Sequence, residues 1–105
     1  MAPLGEFEQM VLLAVLCADQ ESQAYGVTVH AELEARAARR VARGAVYITL
    51  DRLEKKGLLS SFATEPTPER GGRSKRCYKV TKPALALLRA SRHALVRLWE
   101  GLENS

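Results

Sequence analysis

Residues 43–57, RGAVYITLDRLEKKG, carry the pattern around which the rest of the chain is organised. At about 100° per residue, Val46, Leu50 and Leu53 fall on one narrow stripe, which predicts the buried face of an amphipathic helix. Gly57 is expected to end that helix in a left-handed conformation. The stretch therefore predicts one helix, buried along one side, with a sharp stop.

The opposite side of this helix is small, β-branched and cationic: Ala45, Ile48, Arg52 and Lys55, flanked by Thr49 and Lys56. Arginine can contact guanine with two hydrogen bonds, threonine can bond either base type, and isoleucine or alanine can touch a thymine methyl group. This composition favours a helix that enters a DNA major groove. The alternative is an ordinary amphipathic helix whose last turn is rich in lysine.

Charge is distributed unevenly along the chain, whose formal net charge is +4. Residues 1–35 hold six acids and no Lys or Arg, whereas residues 36–82 hold 13 basic residues and four acids. A basic middle behind an acidic start is typical of a surface that binds a polyanion. The alternative is an uneven surface that is merely solvated.

The length of 105 residues predicts a single domain with a small core, which oligomerisation would help to stabilise. The apolar stretch MVLLAVLCA at 10–18 lacks a preceding Lys or Arg, and Leu16 stands where a lipoprotein signal needs a small residue before Cys17. We therefore expect a buried helix there and a cytoplasmic protein without a membrane partner. Cys17 and Cys77 are expected to be buried thiols, and no metal or cofactor is expected.

Two helices are expected before the central one. Residues 5–19 are apolar nearly all round, so a second subunit would have to cover part of that helix. The second helix is predicted from Tyr25 to Ala38, with a core stripe of Val29, Leu33 and Ala37. Tyr25 at its start could meet a phosphate or could simply pack there. The basic turn RRVAR at 39–43 then completes a helix-turn-helix.

Two strands are predicted after the central helix, at 58–64 and 77–81. The segment between them, EPTPERGGRSKR, has two prolines, two glycines and four cations. As a hairpin tip it would be a basic finger suited to phosphates or a minor groove. The alternative is a disordered, solvated loop.

The last helix is predicted to be capped by Thr81, with Pro83 in its first turn, and to reach about Leu102. Its apolar stripe follows a 3-4-3-4-3 spacing, as in a coiled coil: Leu85, Leu88, Arg92, Leu95, Trp99 and Leu102. The stripe could join two subunits or pack on its own domain.

Taken together, the chain resembles the PadR family of bacterial transcriptional regulators. The matching pieces are LGEFEQMVLLAVL from residue 4, YG at 25–26, RGAVYITLDRLEKKGLL at 43–59 and GGRSKRCYKVT at 71–81. Val46 and Ile48 depart from residues common in that family, which leaves the DNA sequence open. The resemblance implies a mainly α fold with a small β-hairpin wing, a winged helix-turn-helix at 1–81 and a dimerisation helix at 82–105. It also implies a homodimeric repressor that binds double-stranded DNA.

On this reading, the expected DNA-binding residues are Tyr25, Arg43, Ala45, Tyr47, Ile48, Thr49, Arg52, Lys55, Arg70, Gly72, Arg73 and Lys75. The expected dimerisation residues are Met10, Leu13, Leu88, Leu95, Trp99 and Leu102. A gap between two subunits, lined by Met10, Leu95 and Trp99, would accept a small flat aromatic effector, as the resemblance also implies. Alternatively, Trp99 fills the interface and leaves no room for a ligand.

Two other classes of function were weighed. A winged helix can bind a protein instead of DNA, but acids in place of Arg52 and Lys55 would favour that, and they are absent. An enzyme is not expected, because His30 and His93 lie on different predicted helices without an accompanying nucleophile or ligand cluster.

Overall fold

The computed structural model describes residues 4–64 and 75–104, which form four helices and one hairpin. In chain order the elements are α1 (Glu6–Glu21), α2 (Gly26–Ala37), α3 (Arg43–Lys55), β1 (Leu59–Ala63), β2 (Arg76–Val80) and α4 (Lys82–Glu103). This order confirms the expected mainly α fold with a two-stranded antiparallel hairpin. The predictions for Arg70, Gly72 and Arg73 lie outside the described residues.

The buried side of α3 is wider than the sequence predicted. Val46, Leu50 and Leu53 are fully buried, as expected. Thr49 is only 6% exposed, so the prediction that it flanks the outward side is wrong. With Thr49 included, the four buried residues of α3 follow the spacing i, i+3, i+4 and i+7. This spacing is typical of a helix that packs against the core of a domain along a broad face.

The end of α3 turns sharply into the hairpin. Gly57 has a φ of 79°, which confirms the left-handed stop. The N–H of Leu58 donates to the carbonyl of Leu53 at 2.9 Å, and the N–H of Gly57 donates to Glu54 at 3.0 Å. These two bonds satisfy carbonyls that the helix end would otherwise leave unpaired. Leu58 is thereby drawn into the core.

The hairpin is fastened to the start of α2. Its register pairs Leu59 with Val80 and Ala63 with Arg76. On the other edge of β2, the N–H of Tyr78 donates to the carbonyl of Ala24 at 2.9 Å, just before α2 begins. The hairpin is therefore joined to the start of α2 by a backbone hydrogen bond.

α1 lies at the centre of the fold, and Val11, Leu12 and Val15 on it are fully buried. Two predictions about burial need correction. Ala37 is exposed rather than part of the α2 core stripe, because α2 ends there and Ala38 takes a left-handed conformation. Cys17 is half-buried, whereas Cys77 is buried; both are free thiols.

α4 is divided between a packed half and a projecting half. Thr81 caps it by accepting from the N–H of Ala84, as predicted. Ala84 and Leu88 are buried in the core, and Ser91 donates to the side chain of Gln9 on α1 at 2.7 Å. From residue 92 to 104 every position is exposed. The molecule consequently measures 59 × 29 × 23 Å.

None of the helices in the described parts of the chain is long and apolar enough to cross a membrane.

Candidate nucleic-acid interface

The outward side of α3 is exposed and carries the residues that the sequence placed there. Ala45, Arg52 and Lys55 are exposed, and Ile48 is 62% exposed despite being a large apolar residue. Lys55 lies 3.1 Å from Asp51, one turn earlier, in a pair that is open to solvent. Such an exposed pair is weak and holds the ammonium group only loosely. The outward side of α3 therefore exposes apolar and cationic side chains that are available to bind a partner molecule.

Ion pairs sort the cations of the basic middle into two groups. Those that face α1 are paired with its acids: Lys56 with Glu8 at 2.7 Å, Lys79 with Asp19 at 2.6 Å, Arg39 with Glu6 at 2.9 Å and Arg36 with Glu21 at 3.3 Å. The hydrogen bond from Lys56 lowers the pKa of Glu8 below its usual value. The hydrogen bond to Asp19 similarly raises the pKa of Lys79. The acidic start of the chain therefore neutralises one side of the domain.

A second group of cations has no carboxylate within 4.0 Å among the described residues: Arg40, Arg43, Arg52, Lys75, Arg76 and Lys82. Arg43 opens α3, and Arg52 lies on its exposed side. Lys75 and Arg76 stand at the loop end of the hairpin. Four of these six cations therefore lie on α3 or at the loop end of the hairpin.

A depression of about 200 Å³ lies between the start of α2, α3 and the hairpin. It brings together three residues that the sequence singled out separately, namely Tyr25, Tyr47 and Lys75. The Lys75 ammonium lies 4.9 Å from the centre of the Tyr25 ring, within range of a cation–π contact. The Tyr25 N–H donates to Thr28 at 2.8 Å, and its hydroxyl is bonded to the Gln23 side chain.

Sequence reasoning missed four residues that line the same depression, namely Gly26, Val27, Arg76 and Tyr78. Gly26 and Val27 directly follow Tyr25 at the start of α2, where Gly26 is buried and Val27 is exposed, so their position next to Tyr25 was the available signal. Arg76 was counted as part of the loop, but it is the first residue of β2.

A polar network joins α3 to the hairpin. The Ser61 hydroxyl on β1 donates to the carboxylate of Glu54 on α3, and Arg76 donates to the Ser61 oxygen at 2.6 Å. Burial, with Glu54 nearby, raises the pKa of Tyr78 in the same region. The network links the exposed end of α3 to both strands of the hairpin. Glu54 and Ser61 were not predicted to have this role, because they lie on different elements separated by the sharp turn at Gly57.

Comparison with known proteins supports the arrangement. The sequence model of the transcriptional regulator PadR-like family matches residues 12–88. The chain belongs to this family. No curated protein matches the sequence as a relative.

Solved structures from the same family share the fold. A PadR-like transcription factor from Bacteroides fragilis superposes with a TM-score of 0.74 at 23% identity, covering 93% of this chain and 87% of that chain. A PadR-like regulator from Bacillus cereus gives a TM-score of 0.71 at 18% identity, over 93% and 88% of the two chains. A PadR family regulator from Clostridium difficile gives 0.70 at 16% identity, over 93% and 96%. The winged helix-turn-helix assignment is therefore confirmed.

The apolar residues expected at a dimer interface are found on several surfaces. Met10 and Leu13 line a groove between α1 and α2, whereas Leu95 and Trp99 line a shallow depression on the projecting half of α4. One chain therefore places Met10 and Trp99 on separate surfaces. Leu88 is only 7% exposed and packs into the chain's own core, but it also lines the cleft between α1 and α4, so its role in a dimer stays a prediction.

His30 has a structural position between α2 and α3. Its Nε2 lies 2.6 Å from the carbonyl oxygen of Val41, and Glu34 accepts from the N–H of Val41 at 3.1 Å. These contacts fix the turn that sets α3 against α2.

Proposed function

We propose that this chain is a sequence-specific DNA-binding transcriptional regulator that works as a homodimeric repressor. The observation that carries the proposal is the exposed side of α3, where Arg43 and Arg52 have no carboxylate partner among residues 4–64 and 75–104 and Ile48 is open to solvent. In the major groove, arginine and isoleucine can contact guanine and the thymine methyl group. Membership of a family of transcriptional regulators supports the same function.

The charge sorting favours DNA over a protein partner. The acids of α1 are paired with cations on the α1 side, so they do not oppose a polyanion at α3. Asp51 is the acid nearest the outward side, and Lys55 pairs with it. Lys75 at the loop end of the hairpin supplies a cation for phosphates, and it lies over the ring of Tyr25 at the start of α2.

The apolar surface that one chain leaves exposed supports the proposed dimer. Leu98 is 73% exposed and Trp99 57%, although both are large apolar residues on the projecting half of α4. A cleft of about 370 Å³ lies between α1 and α4, with Leu13, Leu16 and Leu85 among its lining residues. The projecting half of α4 from a second copy would cover these surfaces and place two α3 helices on one face. Two-fold symmetry is the commonest way in which identical chains assemble.

A small molecule that releases repression would bind at the interface of that dimer. A flat aromatic compound held between Trp99 and Leu95 of one copy and Met10 of the other would alter the separation of the two α3 helices. The change in DNA affinity could not exceed the difference between the compound's affinities for the two arrangements. Such compounds should quench Trp99, the only tryptophan, and change DNA affinity at the same concentrations.

The test uses DNA from upstream of the protein's own gene. Wild-type protein should protect a pseudo-palindrome there, with half-sites about one helical turn apart. Sedimentation should show a dimer, and Trp99→Ala should weaken it. Ala86, an exposed residue on the packed half of α4, provides a matched control as Ala86→Ser. A monomeric wild type would refute the homodimer, and lack of protection with any upstream fragment would refute sequence-specific binding.

A further inference from the structure

Gly26 occupies a position where the backbone does not require glycine. It is the first residue of α2, and among the described glycines only Gly57 has a positive φ. Within a helix, glycine is less favourable than alanine because it loses more conformational freedom on folding. The absence of a side chain at Gly26 therefore needs another explanation.

The ring of Tyr47 provides that explanation. A Cβ atom placed on Gly26 would lie 2.2 Å from Cε1, 2.6 Å from Cζ and 2.7 Å from the hydroxyl oxygen of Tyr47. Atoms do not approach so closely, so the Tyr47 ring lies directly against the backbone of Gly26. A Cβ on Gly44 or Gly101 would meet nothing within 4 Å.

The contact with Gly26 fixes the ring of Tyr47, a side chain that is otherwise largely open to solvent. Tyr47 is 46% exposed, so a new methyl group at position 26 could push its ring into solvent without disturbing the core. The place that the ring would leave is the depression lined by Tyr25, Lys75 and Arg76. The Tyr47 hydroxyl thus lies against Gly26 at the start of α2, in a depression that two cations of the hairpin also line.

We propose that Gly26 is a positioning residue for DNA binding, because its missing side chain lets Tyr47 lie against α2 and aim its hydroxyl at a DNA phosphate. The inference rests on the proposed function and deepens it. A tyrosine hydroxyl donates to phosphate oxygens, and such contacts set the position of a protein on DNA without reading its sequence. Lys75 and Arg76 bring positive charge to the same phosphate.

A second role for glycine must be distinguished from this one. A residue without a side chain can also let its own backbone approach a ligand closely. In that case Gly26 would act independently of Tyr47, and changes at the two positions would have multiplicative effects on affinity. If Gly26 acts through Tyr47, the second change should add little to the first.

The experiment compares Gly26→Ala, Tyr47→Phe and the double variant, with Ala86→Ser as a change at an exposed residue on the packed half of α4. Fluorescence anisotropy measures binding to a 30-base-pair duplex from upstream of the gene and to a scrambled duplex. Each single variant should weaken both duplexes by roughly ten- to a hundredfold for each subunit that contacts the DNA, the value of one hydrogen bond to a charged group. The double variant should be no weaker than the weaker single one, and Ala86→Ser should bind as wild type.

Two further measurements separate positioning from a structural role. In NMR spectra of the free protein, the Gly26 α-protons should show a ring-current shift that Tyr47→Leu removes. The thermal unfolding midpoint of Gly26→Ala should equal or exceed that of wild type. A lowered midpoint would overturn the proposal, since Gly26 would then be needed for folding.

The DNA measurements decide the rest. If Gly26→Ala binds DNA with full affinity, or if the losses of the two single variants multiply in the double variant, the positioning role is overturned. In both cases DNA binding by the wild type would still uphold the proposed function. A wild type that binds neither duplex would refute the proposed function, and this inference with it.

Discussion

The ion pairs predict how steeply DNA binding should depend on salt. Four described cations lie on or beside the proposed interface without a strong carboxylate partner and are not assigned to base contacts: Arg43, Lys55, Lys75 and Arg76. Lys55 belongs in this set because its pair with Asp51 is exposed and within one helix. A dimer would then neutralise about eight phosphates, which gives a slope of roughly −7 for log K against log salt. Affinity should fall about 10⁴-fold between 50 and 200 mM salt.

The same reasoning separates two variants that remove equal charge. Arg43→Ala should make the slope shallower by about two, one phosphate contact for each subunit. Lys79→Ala should leave the slope unchanged, because its ammonium is paired with Asp19 at 2.6 Å. Both variants can be compared by anisotropy titrations at five salt concentrations, with thermal melts to confirm folding.

Two results would refute this reasoning. A flat wild-type profile would show that phosphate contacts do not drive binding. Equal changes of slope in Arg43→Ala and Lys79→Ala would show that net charge alone matters, and that the ion pairs do not sort the cations into two groups.

Three other predictions follow from single residues. Gly57→Ala should cost about 1–2 kcal/mol in urea unfolding because of its left-handed φ of 79°, whereas Gly101→Ala should be neutral or stabilising; equal effects would contradict the backbone explanation. The folded-state pKa of Glu8 is lowered, so its pairing with Lys56 stabilises the protein above the unfolded-state pKa near 4.5, and that stability is lost as pH falls through the lower folded value. In Glu8→Gln, the free energy of unfolding should therefore fall less steeply as pH is lowered below about 4.5. An unchanged fall would show that other groups cause the loss of stability in acid. Arg52→Ala should cost about 1–3 kcal/mol on the operator and relax base preference at one position, whereas a uniform loss on all sequences would make Arg52 a phosphate contact.

The order of elements could be predicted because the signals that define them are local. Val46, Leu50 and Leu53 define the buried stripe of α3 through helical periodicity alone, and Gly57 defines its end. The Thr81 cap depends on a partner only three residues away. Such features involve neighbours within one or two turns, so the sequence contains all the information that they need.

The composition of the interface was determined only by tertiary packing. Thr49 is buried because α3 packs against a core wider than the stripe of three apolar residues. Tyr47 acquires its position from Gly26, which precedes it by 21 residues on another helix. No local pattern indicates which glycine a given ring will contact.

The sequence by itself determined that a basic middle follows an acidic start, but not which cations that start would neutralise. Lys56 pairs with Glu8 across 48 positions, and Lys79 pairs with Asp19 across 60. Like Arg43 and Arg52, both cations belong to the basic stretch at 36–82, and nothing in the sequence separates the two pairs. In the structure, however, Lys56 and Lys79 lie on the α1 side of the domain. An ion pair requires two charges within about 4 Å, and for residues so far apart along the chain only the packing of α1 against α3 and the hairpin brings them together.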